Sequence, residues 1–171
     1  MKRLIRLIGK IRDRLLSPEQ YARKLGVKIG KNCFIATRNW PSEPYLIEIG
    51  NNVQVTHDGY FHTHGGAHAA RLIEPGFEVF GKIKIEDNAY IGAGSHILPG
   101  VTIGEGALIA AGSIVTKSIP PGQVWAGGRF VCTVKEYIDK NQKYNLNTSG
   151  LSPRKKKAVL LSTHDDKFIK K

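Results

Sequence analysis

The chain is short of cysteine, holding only Cys33 and Cys132 among 171 residues. Two thiols cannot make a disulfide framework, so the small cross-linked secreted scaffolds are excluded and a reducing, cytoplasmic compartment is expected. Long apolar runs are missing too. No stretch approaches the ~20 apolar residues that span a bilayer. Met1 to Leu16 scatters charges through its apolar residues, so a cleavable leader is not expected either. Acidic groups are few: 14 Asp and Glu against 26 Lys and Arg, a formal net charge of +12. That surplus does not mark a nucleic-acid surface, because it sits at the two ends. Residues 1–14 carry six basic groups against one acidic, and residues 152–171 carry seven against two. The body between them is nearly neutral. With 41% hydrophobic and 23% charged residues the chain can bury a core and is no disordered polyelectrolyte.

What the sequence does have is a period of six. Ile85, Ile91, Ile97, Ile103, Ile109 and Val115 stand six apart, and all are β-branched. Four residues after each come Ala89, Ser95, Val101, Ala107, Ser113 and Ile119, mostly small and none charged. The same register occurs at Ile29 and Ile35, and at Ile49, Val55 and Phe61. Positions six apart lie on opposite sides of an α-helix, so a helix is excluded. The pattern fits a parallel β-solenoid of three faces, each face one short strand with an aliphatic residue turned inward. The step of 14 from Ile35 to Ile49 breaks the period and places an insertion between them.

The solenoid is expected over 27–121, with loops inserted at about 36–45 and 62–79. Ser17-Pro18-Glu19-Gln20 reads as the start of a short helix. Residues 1–16 read as a basic amphipathic helix, either capping the coil, packing on a neighbouring subunit or touching an anionic membrane surface. Thr133-Val134-Lys135-Glu136 is a capping-box pattern opening a C-terminal helix within a 122–145 connector. Residues 146–171 are expected to form a basic, flexible tail.

Four of the six histidines, His57, His62, His64 and His68, fall within twelve residues. Imidazole titrates near neutrality, and a loop on a rigid solenoid is a sound place to present a general base. The residues alone leave all four as candidates.

The string IGAGSHILPGVTIGEGALIAAGSIVTKSIPPG, residues 91–122, resembles the left-handed β-helix hexapeptide acyltransferases, among them the galactoside, maltose and streptogramin acetyltransferases. The segments SPEQYARKLGVKIGKNC and SEPYLIEIGNNVQV are similar to bacterial sugar or polysaccharide O-acetyltransferases. The resemblance implies a left-handed all-β coil, a homotrimer and acetyl-CoA as donor. Aligning Phe61-His62-Thr63-His64-Gly65 with the family pattern F-x-T-H-D implies that His64 is the catalytic base. Gly65 stands where relatives often carry Asp, so Glu43 or Asp58 is expected to orient the imidazole instead. The family's cofactor positions correspond to backbone at Ala93 and Ala111 and to Thr116 and Lys117 at the nucleotide end, with Arg129 or Lys135 as a further phosphate contact. Arg71, Glu74, Asn88 and Tyr90 are the expected acceptor-pocket residues. The implied reaction is direct acetyl transfer in a ternary complex, the oxyanion held by a backbone N–H near Ala93. An N-acetyltransferase acting on a nucleotide-linked amino sugar and a non-catalytic scaffold are the alternatives. No metal is expected. His57 and His62 have the spacing found in the γ-class carbonic anhydrases, but no third histidine lies in register, His96 falling 34 residues beyond His62 and 39 beyond His57.

Overall fold

The structure, a computed structural model, describes residues 12–65 and 68–170. The chain divides into two compact units, one ending at Val134 and the other beginning at Lys135.

The first unit opens with α1 (Pro18–Leu25), and its start is the one expected. Ser17 accepts from the Gln20 amide while the Gln20 side chain accepts from the Ser17 amide, and Pro18 sits where a missing N–H costs nothing. Short strands follow: β1 (Lys28–Ile29), β2 (Phe34–Ile35), β3 (Ile47–Ile49), β4 (Gln54–Val55), β5 (Tyr60–Phe61), β6 (Ile83–Ile85), β7 (Tyr90–Ile91), β8 (His96–Ile97), β9 (Thr102–Ile103), β10 (Leu108–Ile109) and β11 (Ile114–Val115). Three sheets collect them. The first runs β1-β3-β6-β9, the second contains β2-β4-β7-β10 and the third runs β5-β8-β11. From β3 onward successive strands go to successive sheets, while the loop after β2 leads back to the first sheet without a strand in the third; all these pairings are parallel. That is a coil of three faces.

Burial explains the period of six. Ile85, Ile91, Ile97, Ile103, Ile109 and Val115 are at most 1% exposed, and their strand partners Lys84, Tyr90, His96, Thr102, Leu108 and Ile114 point outward. Each buried Ile or Val is worth ~1.5–3 kcal/mol relative to exposure. The small residues at the second position of the repeat are buried as well. Ser95 and Ser113 are accepted there because both hydroxyls donate to the Ala110 carbonyl, at 3.1 and 2.7 Å.

Register locates the insertions. Tyr90 pairs with Leu108 and His96 with Ile114, eighteen residues on, which is one full coil. Val55 pairs with Ile91 and Phe61 with Ile97, thirty-six residues on. The loop after β5 thus adds the length of a coil without building one. It carries α2 (His68–Arg71). The loop after β2 ends in a 3₁₀ turn at Pro44–Leu46. The first insertion is the one that breaks the period of six; the second, between Phe61 and Ile85, spans 24 residues and keeps it.

Two features depart from the expectation for the C-terminal part. The connector holds an antiparallel hairpin, β12 (Gln123–Ala126) and β13 (Arg129–Thr133), turned by Gly127 and Gly128 at φ of 56° and 75°. β12 also extends the second sheet beside β10. The helix expected from Thr133-Val134-Lys135-Glu136 is α3 (Val134–Asn141). In the second unit, a helix α4 (Pro153–Ser162) occupies part of the expected flexible tail. Ser152 caps it at the Lys155 amide and Pro153 opens it, a start signal that the basic run had masked. The helix expected at residues 1–16 lies mostly outside the described residues; residues 12–15 are helical.

Candidate active site

The loop after β5 folds back on itself. Gly65 donates to the Val79 carbonyl at 3.0 Å and Gly81 to the Thr63 carbonyl at 2.8 Å, so His64 pairs across an antiparallel bridge with Phe80. The Phe80 ring meets the imidazole edge-on, centroids 6.3 Å apart. From the other insertion comes Glu43. Its Oε2 lies 2.8 Å from Nδ1 of His64. An ionised carboxylate only accepts, so the proton of the neutral imidazole is on Nδ1 and Nε2 keeps a free lone pair. Half-exposed His64 thus offers solvent a basic nitrogen held in one tautomer.

Glu43 is itself fixed. The buried hydroxyl of Thr63 donates to the same Oε2 at 2.9 Å. The hydrogen bond from His64 holds the Glu43 carboxyl below its ordinary pKa; bonds from Thr63 and Ser42 add to this, and desolvation opposes it. Of the two carboxylates expected to orient His64, the structure brings Glu43. Asp58 lies exposed in the turn between β4 and β5, in the left-handed region at φ 56°. His57 stands in that same turn, its carbonyl accepting from the Gly94 amide. Thr63 was missed by sequence reasoning, although it lies beside His64 at a position whose side chain turns inward.

A cavity of about 310 Å³ opens at His64, lined also by Ser42, Glu43, His68, Arg71, Glu78 and Phe80. Arg71 is therefore at the site, paired with Glu78 and donating to the Phe77 carbonyl. Glu74 is exposed on the same loop and does not line this cavity. Asn88 and Tyr90 are elsewhere in the chain. Asn88 bonds Glu105 and Asn52 at one corner, and Tyr90 lies outward on the second sheet.

The expected cofactor residues occupy several places in the fold. Ala93 and Ala111 are exposed at stacked corners, where the Gly112 amide donates to the Ala93 carbonyl at 2.7 Å. The neighbouring Gly94 and Gly112 have positive φ, and a side chain added at either would meet nothing within 4 Å. This corner is a bare backbone edge, a surface suited to an extended amide-bearing arm. Thr116 and Lys117 are exposed beyond β11, with the Lys117 ammonium 5.2 Å from the Trp125 ring centre. Arg129 is exposed at the start of β13, and Lys135 belongs to α3.

As expected, His96 is not in register with His62. It is not out of reach of His62: Nε2 of His62 lies 3.0 Å from Nδ1 of His96. Tyr60, not His62, pairs with His96 along the sheet, and His62 follows two residues later on the same outward side. Among the described residues no group of three or more His, Cys, Asp or Glu is arranged to hold a metal ion.

Protein CapG of Staphylococcus aureus is 39% identical over 163 residues, which are 92% of this chain and 94% of that protein. The family model described as bacterial transferase hexapeptide (six repeats) matches residues 82–117. The chain belongs to the hexapeptide-repeat transferase family. Among solved structures, this transferase is similar to the maltose O-acetyltransferase of Clostridium difficile 630, with a TM-score of 0.53 and 30% identity over 67% of this chain and 73% of that one. It is also similar to the acetyltransferase VCA0836 of Vibrio cholerae in complex with acetyl-CoA, with a TM-score of 0.57 and 28% identity over 63% and 60% of the two chains. Among the described residues of this transferase, no helix is long and apolar enough to cross a membrane.

Proposed function

We propose that this transferase moves an acetyl group from acetyl-CoA to a hydroxyl of a sugar or polysaccharide precursor, with His64 as general base. The observation that carries the reading is the Glu43–His64 pair at 2.8 Å on the edge of a cavity. It leaves Nε2 as the one ring nitrogen able to take a proton.

The donor supplies a thioester carbonyl. The bare corner at Ala93 and Ala111 would hold its pantetheine arm, and Thr116, Lys117 and Arg129 its phosphates. The acceptor hydroxyl gives its proton to Nε2 of His64 as its oxygen bonds to the acyl carbon. A backbone N–H near Ala93 holds the charge that develops on the carbonyl oxygen. The carbon–sulfur bond breaks, and the proton returns from Nε2 to the departing thiolate. Glu43 stabilises the imidazolium while it exists. On this reading the coil is left-handed, as in the hexapeptide-repeat family, and the enzyme works as a cytoplasmic homotrimer; the basic composition of residues 1–16 suits contact with an anionic membrane surface. The maltose O-acetyltransferase likeness supports a sugar acceptor.

The test is acetyl transfer from acetyl-CoA to a panel of glycosides and amino sugars by wild type and His64→Ala. Turnover on hydroxyl acceptors, lost in the variant at an unchanged melting temperature, supports the reading. Turnover on amines alone, or an active His64→Ala, overturns it.

A further inference from the structure

His64 stands at the junction of two cavities of opposite character. The one already described is charged, with Glu43, Arg71 and Glu78 in its wall. The second, of about 410 Å³, is lined by Asn39, Trp40, Tyr60, Phe61, His62 and His64, together with Pro41 and Ser42. No Lys, Arg, Asp or Glu contributes to it.

Its wall is aromatic and polar at once. Trp40 lies flat on Phe61, centroids 5.0 Å apart and planes 5° apart. The indole N–H of Trp40 is buried and has no acceptor among the described residues. Tyr60 stacks on His96 at 4.7 Å, and His96 is hydrogen-bonded to His62. Because Nε2 of His62 is engaged by His96, only its Nδ1 is left for a ligand. If Nε2 donates, Nδ1 is a bare acceptor; if Nε2 accepts from a neutral or charged His96, a neutral His62 carries its proton on Nδ1. His96 absorbs the difference. Burial foremost, with the electrostatic influence of His96 and His64 adding, holds His62 below the ordinary imidazole pKa and favours its neutral form.

A hydroxyl both donates and accepts, so it suits the pair in either state. A carboxylate or phosphate only accepts and would find no cation in this wall. Flat aromatic surface beside a few polar groups is how a pocket takes a compact polar ring. We propose that the groove bounded by Trp40, Tyr60 and His62 is the subsite for an uncharged sugar unit of the acceptor, its hydroxyls read by the His62–His96 pair. This rests on the acetyl-transfer reading above and adds the class of acceptor and the residues that select it.

The test follows the Trp40 indole N–H by NMR in the full chain, assigned with Trp40→Phe. The ligands are methyl β-galactoside, methyl β-glucoside and, as charged control, methyl β-glucuronide. Acetylation of the same compounds is assayed in parallel. The neutral glycosides are expected to move the resonance and the glucuronide to leave it in place. His96→Leu should raise KM for the neutral glycosides about tenfold, the loss of one hydrogen bond's worth of binding, with kcat little changed. His96→Gln, whose amide also donates and accepts, should restore most of it. An unmoved Trp40 with acetylation intact, equal response to the glucuronide, or a KM unaffected by His96→Leu overturns the subsite. So does stoichiometric binding of zinc ion alone that His96→Leu abolishes, which would make the pair a metal site. A responding Trp40 with no hydroxyl acetylated supports the subsite and overturns the transfer reading instead.

Discussion

Glu43 and His64 stand twenty-one residues apart in the chain and 2.8 Å apart in the fold, each delivered by a different insertion. The coil positions both, and the loop after β2 packs beside β5 through Trp40 on Phe61 and through Thr37, whose hydroxyl donates to the Gly59 carbonyl. Glu43→Gln keeps the shape and removes the charge that fixes Nδ1–H and stabilises the imidazolium. It is expected to lower kcat by roughly 10²–10⁴, the usual worth of an acid–base contribution, with little change in KM or melting temperature. Steady-state kinetics on the best acceptor checks this, and an unchanged kcat would remove Glu43 from the mechanism.

Asp87 makes a second long-range link. Its carboxylate accepts from the backbone amide of Asn51 at 2.8 Å and from the Asn51 side chain at 3.1 Å, joining the corners of successive coils. Those bonds, the backbone one foremost, hold its carboxyl below the ordinary pKa. A depressed pKa contributes stability that is full above the unfolded value, about 3.9 for Asp, and is lost as pH falls through the lower folded value. Asp87→Asn should lower the melting temperature at pH 7 and flatten its fall between about pH 5 and pH 2. Thermal melts across that range decide it; parallel curves for variant and wild type would deny the linkage.

The coil was legible because its signal is repeated. Each Ile or Val of the hexad faces the same choice between core and water, and all resolve it alike. The first insertion was legible as a break in that count, the step of 14 from Ile35 to Ile49, whereas the second adds whole multiples of six and leaves the count intact. The site was legible only in part. His64 and the cluster around it could be seen, but the choice between Glu43 and Asp58 depends on how a non-repeating loop folds back. His96 is out of register with His62, as the spacing of 34 against the 36 that separates β5 from β8 implies, but register alone did not reveal their contact. Two residues is one step along the same side of a strand, so the shift moved the contact from straight across to diagonal rather than out of reach. The helix α4 was hidden because its outward charge resembles that of an unstructured tail.

Gly92 tests how closely the coils stack behind the corner proposed to hold coenzyme A. A Cβ there would stand 2.4 Å from the Ala111 amide nitrogen, so backbone would have to move. Gly92→Ala is expected to destabilise the protein by about 1–3 kcal/mol through overpacking and to weaken coenzyme A binding by displacing Ala111. Gly106→Ala, at the corner between β9 and β10 and away from Ala111, is the control. A side chain there meets nothing, and its cost is confined to the left-handed φ of 63°. Equal loss of coenzyme A affinity in both variants would argue against stacking at Gly92 as the cause.

Lys117 separates a cofactor role from an ordinary last turn. Its ammonium lies over Trp125 and is otherwise exposed, so little of the fold depends on it. If it faces a phosphate, Lys117→Ala should raise the Kd for coenzyme A about tenfold, the equivalent of one charge-assisted hydrogen bond, and leave the melting temperature in place. The loss should shrink at high salt, because an exposed ion pair is screened. Calorimetry with coenzyme A and with dephospho-coenzyme A shows which phosphate is met. If the substitution weakens the first ligand and not the second, Lys117 reads the 3′-phosphate. If it weakens both equally, the contact is to the diphosphate, and if neither changes, the cation serves only the Trp125 ring.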